Sequence, residues 1–534
     1  MRAGIVDVRL RVEEGERVEI GEVFVRGNFE TDTAVILRDM PKPGQAFSAA
    51  ALFESQRRLR NLGLFGQVTF DYIGDDETPP RQRLGVVVQV AENAFRWMEY
   101  AVGVQTINAS HAATERTVAP LLDAVGQATA AGDRAASTYN QGLTLNLPNL
   151  LVTGEAAWVN RNFLGLGKQL RIPLKVGLAR SPLCGDGIIA CDQQTILDTV
   201  RLVSFTPTYT DSRLFGSDVT LNLTAPYFIH DYASGVVDLD RTGALVQLAR
   251  RFGKVSLALA FDAGFIRTRL PSVPTPDNGF RLEPQFQISP TVTWDRTDSP
   301  LNPTRGFYLA SSVQYINAYK QVVSSPNPSL IGLYEHGNYM KYEGTAKGFI
   351  PFGQIAVLAL LVHGGGSAQL GTESSDLPDW ARYQLGGIQG LRGYADLAVK
   401  EYLADGTTKS LTKGGLPVSS SSPDAVQTKQ GGNVILNGSA ELRFPILRDS
   451  GVWGAGFWDW GAIADTASEM YPASFRHGLG LGLRWLLSGQ IPIRVDYGFA
   501  VGRRVREIQN ITGVKPTATI DDVGALSFSV LYSF

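Results

Sequence analysis

The residues with the clearest chemical potential lie in one glycine-rich segment. They are Gly390, Leu391, Arg392, Gly393 and Tyr394. A guanidinium presents planar donors that match a carboxylate in two parallel hydrogen bonds. Two acidic residues that could accept these bonds, Glu441 and Asp459, follow later in the chain. Glycines beside the arginine would let the backbone turn tightly. The pattern predicts a charge-paired anchor.

Sequence signatures of enzymes, metal sites and nucleic-acid binding are missing. The chain has 5 His and 2 Cys in 534 residues and a net charge of −2. No histidine pair has the spacing of metal ligands, and there is no P-loop and no Gly-x-Ser-x-Gly turn. The alternating glycines Gly478, Gly480 and Gly482 resemble a nucleotide-binding loop in spacing alone. Such a loop leads into a helix, whereas this segment continues as a predicted strand. We expect no enzymatic activity, no cofactor, no metal and no nucleic-acid partner.

The anchor residues belong to a long run of predicted β-strands that starts near residue 96. In residues 491–501, apolar side chains such as Ile493 and Tyr497 alternate with Arg494 and Asp496. The predicted strands have about 9–13 residues, which suits a tilted membrane strand better than the usual ~5–6 residues. Seven short turns alternate with eight long loops, which gives sixteen strands. An even number with this asymmetry is typical of outer-membrane β-barrels. No apolar run approaches the ~20 residues of a membrane helix.

Strand parity places a set of charged residues on the inner face of this barrel. They are Glu441, Arg443, Asp459, Arg484, Arg494 and Asp496. An arginine in a confined lumen costs several kcal/mol unless it is paired. We therefore predict that Arg392 reaches into the lumen and pairs with Asp459, with Glu441 nearby. The alternative is that these charges only line a hydrated lumen. Aromatic residues near strand ends, including Trp453, Trp458 and Trp460, predict an interfacial girdle.

A small α/β module precedes the strands. Residues 17–95 read as strand, helix, helix, strand, strand, with Thr31 or Asp32 capping the first helix and Ser48 capping the second. Residues 1–16 contain no apolar signal-peptide core and alternate like a strand. Either the protein is not secreted, or the chain is the C-terminal part of a longer protein. We favour the second alternative and interpret residues 1–16 as a linker or as the tail of a preceding module.

These segments resemble the BamA/TamA superfamily of outer-membrane assembly factors over nearly the whole chain. In that family a Gly-rich loop ending in Arg-Gly-Phe/Tyr folds back into the barrel, as Arg392, Gly393 and Tyr394 would in a loop spanning about residues 367–433. Residues 17–95 resemble a POTRA domain, and residues 96–534 resemble a sixteen-stranded antiparallel transmembrane β-barrel. Phe534 ends the chain, as in the assembly signal of outer-membrane proteins. The resemblance implies the same contact between Arg392 and Asp459.

The function implied by this resemblance is non-covalent insertion of outer-membrane β-barrel proteins. Unfolded clients would enter through a lateral seam between the first and last strands, beside outer-membrane lipid. The implied location is the bacterial outer membrane, with the POTRA domain in the periplasm, where it could bind a periplasmic or inner-membrane partner. A two-partner-type polypeptide secretion pore is the main alternative, and a passive porin and an organelle relative are lesser ones.

The two cysteines, Cys184 and Cys191, fall in a predicted exterior loop. A disulfide that closes the loop is favoured over two free thiols, because a loop on the cell exterior would lie in an oxidising environment. The long loop at residues 107–150 exceeds what a minimal barrel needs, and the sequence gives no role for it.

Overall fold

The computed structural model describes only part of the 534 residues. The described residues are 17–76, 82–107, 149–180, 200–231, 238–269, 280–300, 302–321, 334–371, 377–383, 385–386, 390–394, 400–402, 408–410, 432–464, 466–470, 472, 475–487, 491–501, 505–507, 517–519 and 524–530. The expectations for residues 1–16, Cys184, Cys191, Phe534 and most of the 107–150 loop lie outside these ranges. The described residues form two compact units, of which the smaller contains those between 17 and 98 together with 158–171 and 209–217.

The smaller unit is built on an α/β domain. Its elements are β1 (Glu19–Arg26), α1 (Thr33–Leu37), α2 (Ala49–Asn61), β2 (Phe65–Ile73) and β3 (Arg83–Glu92). The sheet order is β1-β3-β2, with β1 parallel and β2 antiparallel to β3. Alternate residues of β3, including Val86 and Val88, are fully buried against apolar residues of both helices, as the period of a half-buried strand predicts. The side chains of Asp32 and Ser48 cap the two helices.

A carboxylate organises the loop that leads into α1. Glu92, at the end of β3, accepts hydrogen bonds from the backbone N–H groups of Phe29, Glu30 and Thr31 at 2.8–3.0 Å. These donors precede a helix N-terminus and would otherwise need water. Burial alone would raise the pKa of Glu92, but these bonds and the Thr31 side chain outweigh it and hold the pKa below its usual value.

The barrel strands begin directly after this domain. Their bounds are β4 (Arg96–Ile107), β5 (Asn149–Phe163), β6 (Lys168–Arg180), β7 (Val200–Phe205), β8 (Thr208–Asp211), β9 (Val219–Asp231), β10 (Asp238–Phe252), β11 (Val255–Arg269), β12 (Phe280–Asp295), β13 (Gly306–Gln321), β14 (Tyr334–Phe352), β15 (Ala356–Leu370), β18 (Val434–Leu447), β19 (Val452–Ala464), β20 (Arg476–Leu487), β21 (Ile491–Val501) and β24 (Gly524–Val530). Two short strand pairs form separate two-stranded sheets: β16 (Lys400–Tyr402) pairs with β17 (Thr408–Ser410), and β22 (Val505–Glu507) pairs with β23 (Thr517–Thr519).

The barrel strands close into one antiparallel sheet of sixteen strands. Segments β7 and β8 are two halves of one strand, since Pro207 between them lacks the N–H that the ladder needs. The sheet closes where β24 meets β4. The predicted fold class is thus confirmed. No helix among the described residues has the length and apolar character required to cross a membrane.

Inner and outer faces alternate as strand geometry requires. On β19, Phe457 and Asp459 are 4% and 2% exposed, whereas Trp458 is 46% exposed. Trp453 shares the parity of Phe457 and packs against Phe349 and Ala359, so its prediction as a girdle residue was wrong. Neighbouring residues of a strand point to opposite faces. The position of an aromatic residue near a strand end therefore does not determine whether it faces outward or into the barrel.

Candidate functional site: a loop seated on charged barrel strands

The chain between β15 and β18 packs against the inner face of the barrel. Leu391 and Arg392 are each 2% exposed, and Tyr394 is also buried. An apolar cluster surrounds the charged group; its members are Tyr383, Leu385, Leu391, Tyr394, Ile435, Ile463 and Ala500. The Tyr394 hydroxyl donates to a backbone carbonyl on β20 or β21, since it lies 3.3 Å from His477 O and 3.2 Å from Val501 O. The loop segment therefore contacts two neighbouring strands through both apolar and polar groups.

Glycines let the loop backbone approach the strands closely. Gly393 has a φ of +99°, which strongly favours glycine, and an added Cβ would lie 2.9 Å from the Phe499 carbonyl carbon. On the strands, a Cβ at Gly478 would lie 2.1 Å from Arg392 O, and one at Gly498 would lie 2.5 Å from Gly393 N. The alternating glycines of β20 thus include one that forms part of the seat. Sequence reasoning recognised the strand but missed this role of Gly478 and Gly498.

Arg392 forms a bidentate ion pair with Asp459. Nε donates to Oδ2 and Nη2 donates to Oδ1, both at 2.6 Å, and the backbone N–H of Arg392 donates to Oδ2 at 3.0 Å. Nη2 also donates to Ser439 Oγ at 3.0 Å, and this hydroxyl donates to Asp459 Oδ1 at 2.6 Å. The guanidinium carbon lies 3.4 Å from the centroid of the Phe457 ring. Planar stacking and two parallel hydrogen bonds are contacts that arginine makes and lysine cannot reproduce.

Two further carboxylates approach the same guanidinium. Arg392 Nη1 is 2.7 Å from Glu441 Oε2 and 3.2 Å from Asp496 Oδ2. Burial alone would lower the pKa of Arg392, but Asp459, Glu441 and Asp496 outweigh it and raise the pKa above its usual value. The side chain is therefore held charged in a site from which water is largely excluded.

Three strand arginines complete the network. Arg443 Nε lies 2.9 Å from Glu441 and Arg494 Nε lies 2.6 Å from Asp496. Arg484 bridges the two carboxylates, at 2.7 Å from Glu441 and 2.5 Å from Asp496. Cations and anions thus alternate across β18, β19, β20 and β21, with Arg392 supplied by the loop. Buried charges require such pairing, because an isolated one would be strongly destabilising.

A second part of the same loop contacts β12 and β14, two barrel strands that precede the loop in the chain. The Trp380 indole N–H donates to Glu283 Oε2 on β12 at 2.8 Å, and the Tyr383 hydroxyl donates to Tyr342 O on β14 at 2.8 Å. Lys341 Nζ lies 4.3 Å from the centre of the Tyr383 ring. The loop is consequently attached at two places, one on β12–β15 and one on β18–β21.

The structure brings together the seven residues singled out for the loop motif and its partners. Arg392 contacts Glu441 and Asp459, Leu391 and Tyr394 pack in the surrounding apolar cluster, and Gly393 lies against the backbone of β21. Gly390 lies near Leu385 of the same loop. Asp496 was expected on the inner face but not as a direct partner of Arg392. Parity identifies its face, whereas its distance to the loop depends on how neighbouring strands are staggered.

The barrel closes between its last and first strands. Among the described residues, β24 pairs with β21 at seven positions, from Ile493↔Val530 to Phe499↔Gly524. On its other side it pairs with β4, where the described residues include the pair Ser529↔Gln105. We call the junction between β24 and β4 the seam.

Comparison with known proteins identifies the family. Residues 162–512 match the Omp85 superfamily domain, and residues 18–93 match the POTRA family described as surface antigen variable number repeat. The first match spans more than half of the chain, which therefore belongs to the Omp85 superfamily. This confirms the family resemblance of the motifs. The superfamily includes both Bam insertases and two-partner secretion pores.

The fold is similar to solved structures of this kind. BamA from Haemophilus ducreyi lacking POTRA domains 1–3 matches with a TM-score of 0.62 and 16% identity, over 97% of this chain and 85% of that one. CdiB from Acinetobacter baumannii matches with a TM-score of 0.47 and 11% identity, over 97% and 74%. No curated protein matches the chain.

Proposed function

We propose that this protein inserts unfolded β-barrel proteins into the bacterial outer membrane through the seam between β24 and β4. Its α/β domain, a POTRA domain, lies in the periplasm and receives clients or a partner protein there. The observation that carries the proposal is that the barrel closes by pairing its last strand, β24, with its first, β4, next to the strands on which the loop is seated. The process is non-covalent and requires no cofactor.

The seam joins the first and last strands of the barrel, which no turn connects, so hydrogen bonds and side-chain contacts alone hold it closed. Each backbone hydrogen bond contributes only about 0.5–1.5 kcal/mol net. Opening exposes N–H and C=O groups that cannot find water in the hydrocarbon layer. An incoming strand that pairs with this edge satisfies those groups and is itself guided into the sheet.

The loop contacts β21, the strand that pairs with β24 on the side away from the seam. Its partners Asp496 and Gly498 lie on β21, where they pair with Ser527 and Ala525 of β24. Arg392 joins this strand to β18 and β19 through Glu441 and Asp459. The charged network thus holds β21, and with it β24, in a fixed register while β4 separates from β24 at the seam.

A secretion pore is the alternative within the same family. A polypeptide that crosses the lumen would have to displace the buried segments around Trp380 and Arg392. Insertion through the seam leaves both attachments in place. The two functions therefore differ in whether the client polypeptide passes through the lumen of the barrel.

The test is client folding in liposomes that contain the protein. A small urea-unfolded β-barrel protein is added, and its folding rate is compared with that in empty liposomes. The proposal expects acceleration by the wild type, a reduced effect with Arg392→Ala, and a wild-type effect with the matched control Gly390→Ala. Gly390 has room for a methyl group, since its nearest neighbour would lie 3.4 Å away. No acceleration, together with ion conductance across the vesicle membrane, would refute insertion and favour a pore.

A further inference from the structure

A polar cluster faces outward near the ends of β13 and β14 that lead into the connection between them. Its members are Tyr315, Asn317, Tyr319, His336 and Asn338. On the same strands, the alternate residues Ile316, Ala318 and Tyr339 are at most 2% exposed and pack against the loop inside the barrel. Since successive side chains of a strand point to opposite faces, the cluster lies on the outer surface. We call it the outward polar cluster.

Hydrogen bonds fix the cluster in one arrangement. Asn317 Nδ2 donates to Asn338 Oδ1 and to His336 Nε2, both at 2.8 Å, and Asn338 Oδ1 also accepts from the Tyr315 hydroxyl at 2.7 Å. The Tyr319 and His336 rings are 4.7 Å apart. These bonds use both hydrogens of Asn317 Nδ2 and both lone pairs of Asn338 Oδ1.

One donor and one acceptor remain at the outer surface. Asn338 Nδ2 and Asn317 Oδ1 make no hydrogen bond to any residue that the structure describes. They belong to directly opposed residues of neighbouring strands, because Asn317 pairs with Asn338 in the ladder. Tyr319, 40% exposed, and Tyr342, 54% exposed, present ring surface on the same face.

The depth of the cluster suits the headgroup layer of a membrane. Asn317 lies four residues before the end of β13 at Gln321, and Asn338 four residues after the start of β14 at Tyr334. At about 3.3 Å per residue and a tilt of about 40°, this is roughly 10 Å below the strand ends. Amide groups left without partners beside lipid chains would be costly, so a polar ligand at this level would be stabilising.

Below the cluster, the outer face of β14 is unusually smooth. Gly344, Ala346 and Gly348 follow at alternate positions, and a Cβ at either glycine would meet no atom within 4 Å. On β15, the Tyr342 ring occupies the space above Gly366, where a Cβ would lie 2.6 Å from its Cζ. The result is a shallow strip of small residues directly beneath the polar groups, which an acyl chain can follow.

The chemistry of the polar groups selects among lipid headgroups. A donor beside an acceptor, flanked by aromatic rings, matches two adjacent hydroxyl groups of a sugar ring. A phosphate would instead be held by arginine or lysine, and all five cluster members lack a cationic amine or guanidinium.

We propose that the outward polar cluster binds the sugar headgroup of a membrane glycolipid, with an acyl chain lying along Gly344, Ala346 and Gly348. Asn317 Oδ1 accepts from one sugar hydroxyl and Asn338 Nδ2 donates to its neighbour. The site goes beyond client insertion and needs no client. It rests only on the barrel being embedded in a membrane, so its failure would leave the insertion proposal untouched.

The test uses the full chain in phosphatidylcholine nanodiscs that contain equal small fractions of digalactosyl diacylglycerol and phosphatidylglycerol with identical acyl chains. Native mass spectrometry counts each lipid retained on the released protein. We expect at least threefold enrichment of the glycolipid. Asn338→Asp, which keeps an acceptor for Tyr315 and Asn317 but removes the outward donor, should abolish this enrichment, as should Asn338→Leu.

Ala263→Leu is the matched control, because Ala263 is exposed on the outer face of β11, away from β13 and β14. It should retain the glycolipid like the wild type. Heat-dependent migration on gels checks that each variant folds. Equal retention of both lipids by the wild type, a preference for phosphatidylglycerol, or unchanged enrichment in both Asn338 variants would overturn the proposal. Binding of free digalactose as tight as that of the lipid would also overturn it.

Discussion

Replacing Asp459 by asparagine is the sharpest perturbation of the loop seat, because it keeps the side-chain shape and removes the charge. Asp459 accepts from Arg392 Nε and Nη2 at 2.6 Å and from the backbone N–H of Arg392 at 3.0 Å. An asparagine keeps one acceptor oxygen and turns an amide N–H toward these donors. At least one N–H group of the guanidinium or the backbone then loses its partner.

The free-energy cost of Asp459→Asn depends on the carboxylates that still contact Arg392. Removing one partner of a buried ion pair costs about 3–5 kcal/mol. Glu441 and Asp496 stay 2.7 and 3.2 Å from Nη1, so we expect the lower end, about 3 kcal/mol. Arg392→Met should cost about 4 kcal/mol, since Asp459 itself is 2% exposed and loses its cation. If both act through one contact, the double variant should cost at least about 2 kcal/mol less than the sum.

Hydrogen exchange at the backbone amide of Arg392 is the direct assay, because that amide donates to Asp459. A local opening that is easier by about 3 kcal/mol exchanges about 100-fold faster. Urea titration in detergent micelles gives the free energies for the double-mutant cycle. The matched control is Asp218→Asn. Its pair with Arg250, 3.9 Å apart with side chains 78% and 47% exposed, should contribute little.

Two results would refute this reasoning. One is unchanged exchange at residues 390–394 in Asp459→Asn. The other is a double variant whose cost equals the sum of the single costs. Either would mean that the loop is held by its apolar contacts and that the carboxylates contribute nothing specific to Arg392.

Three other variants test separate parts of the structure. Gly393→Ala, at φ +99° and 2.9 Å from the Phe499 carbonyl carbon, should destabilise the seat by about 1–3 kcal/mol in the same exchange assay, while Gly390→Ala should cost under about 0.5 kcal/mol. Tyr394→Phe, which removes a hydroxyl bonded to strand carbonyls, should cost about 1 kcal/mol in urea titration. The lowered pKa of Glu92 stabilises residues 29–31 above about pH 4.5, and this protection is lost as pH falls through the lower folded-state value. Exchange at these amides should follow that dependence, and Glu92→Gln should remove it.

Sequence patterns could predict the faces of the strands and the charge pairing of the loop. Period-2 alternation places Glu441 and Asp459 on the inner face, and the cost of an unpaired arginine then requires a partner for Arg392. Which carboxylates lie within reach depends on the stagger between strands, a property of the closed sheet. Asp496 therefore appeared as a partner only in the structure.

Other features escaped prediction because they depend on contacts between segments distant in sequence. Alternating glycines on β20 indicate an inner face without side chains, but not that the backbone of Arg392 fills the space beside Gly478. The seam is equally invisible in the sequence of β24, whose alternation resembles that of any other barrel strand. Its pairing with β4 arises when the sheet closes.

The central claim is that clients enter through the seam, and closing the seam tests it most directly. Gln105 on β4 and Ser529 on β24 pair across this junction. Cysteines at both positions, in a chain whose Cys184 and Cys191 are replaced by serine, can form a disulfide across this junction. The readout is the folding rate of an unfolded client in liposomes, measured after oxidation and again after reduction.

A crosslink at Ser311 and Gly344, which pair on β13 and β14, is the control for oxidation and for cysteine substitution. The account predicts that the oxidised seam crosslink abolishes the acceleration of client folding, that reduction restores it, and that the control crosslink has no effect. Acceleration by the oxidised seam-crosslinked protein at the rate of the reduced protein would contradict it.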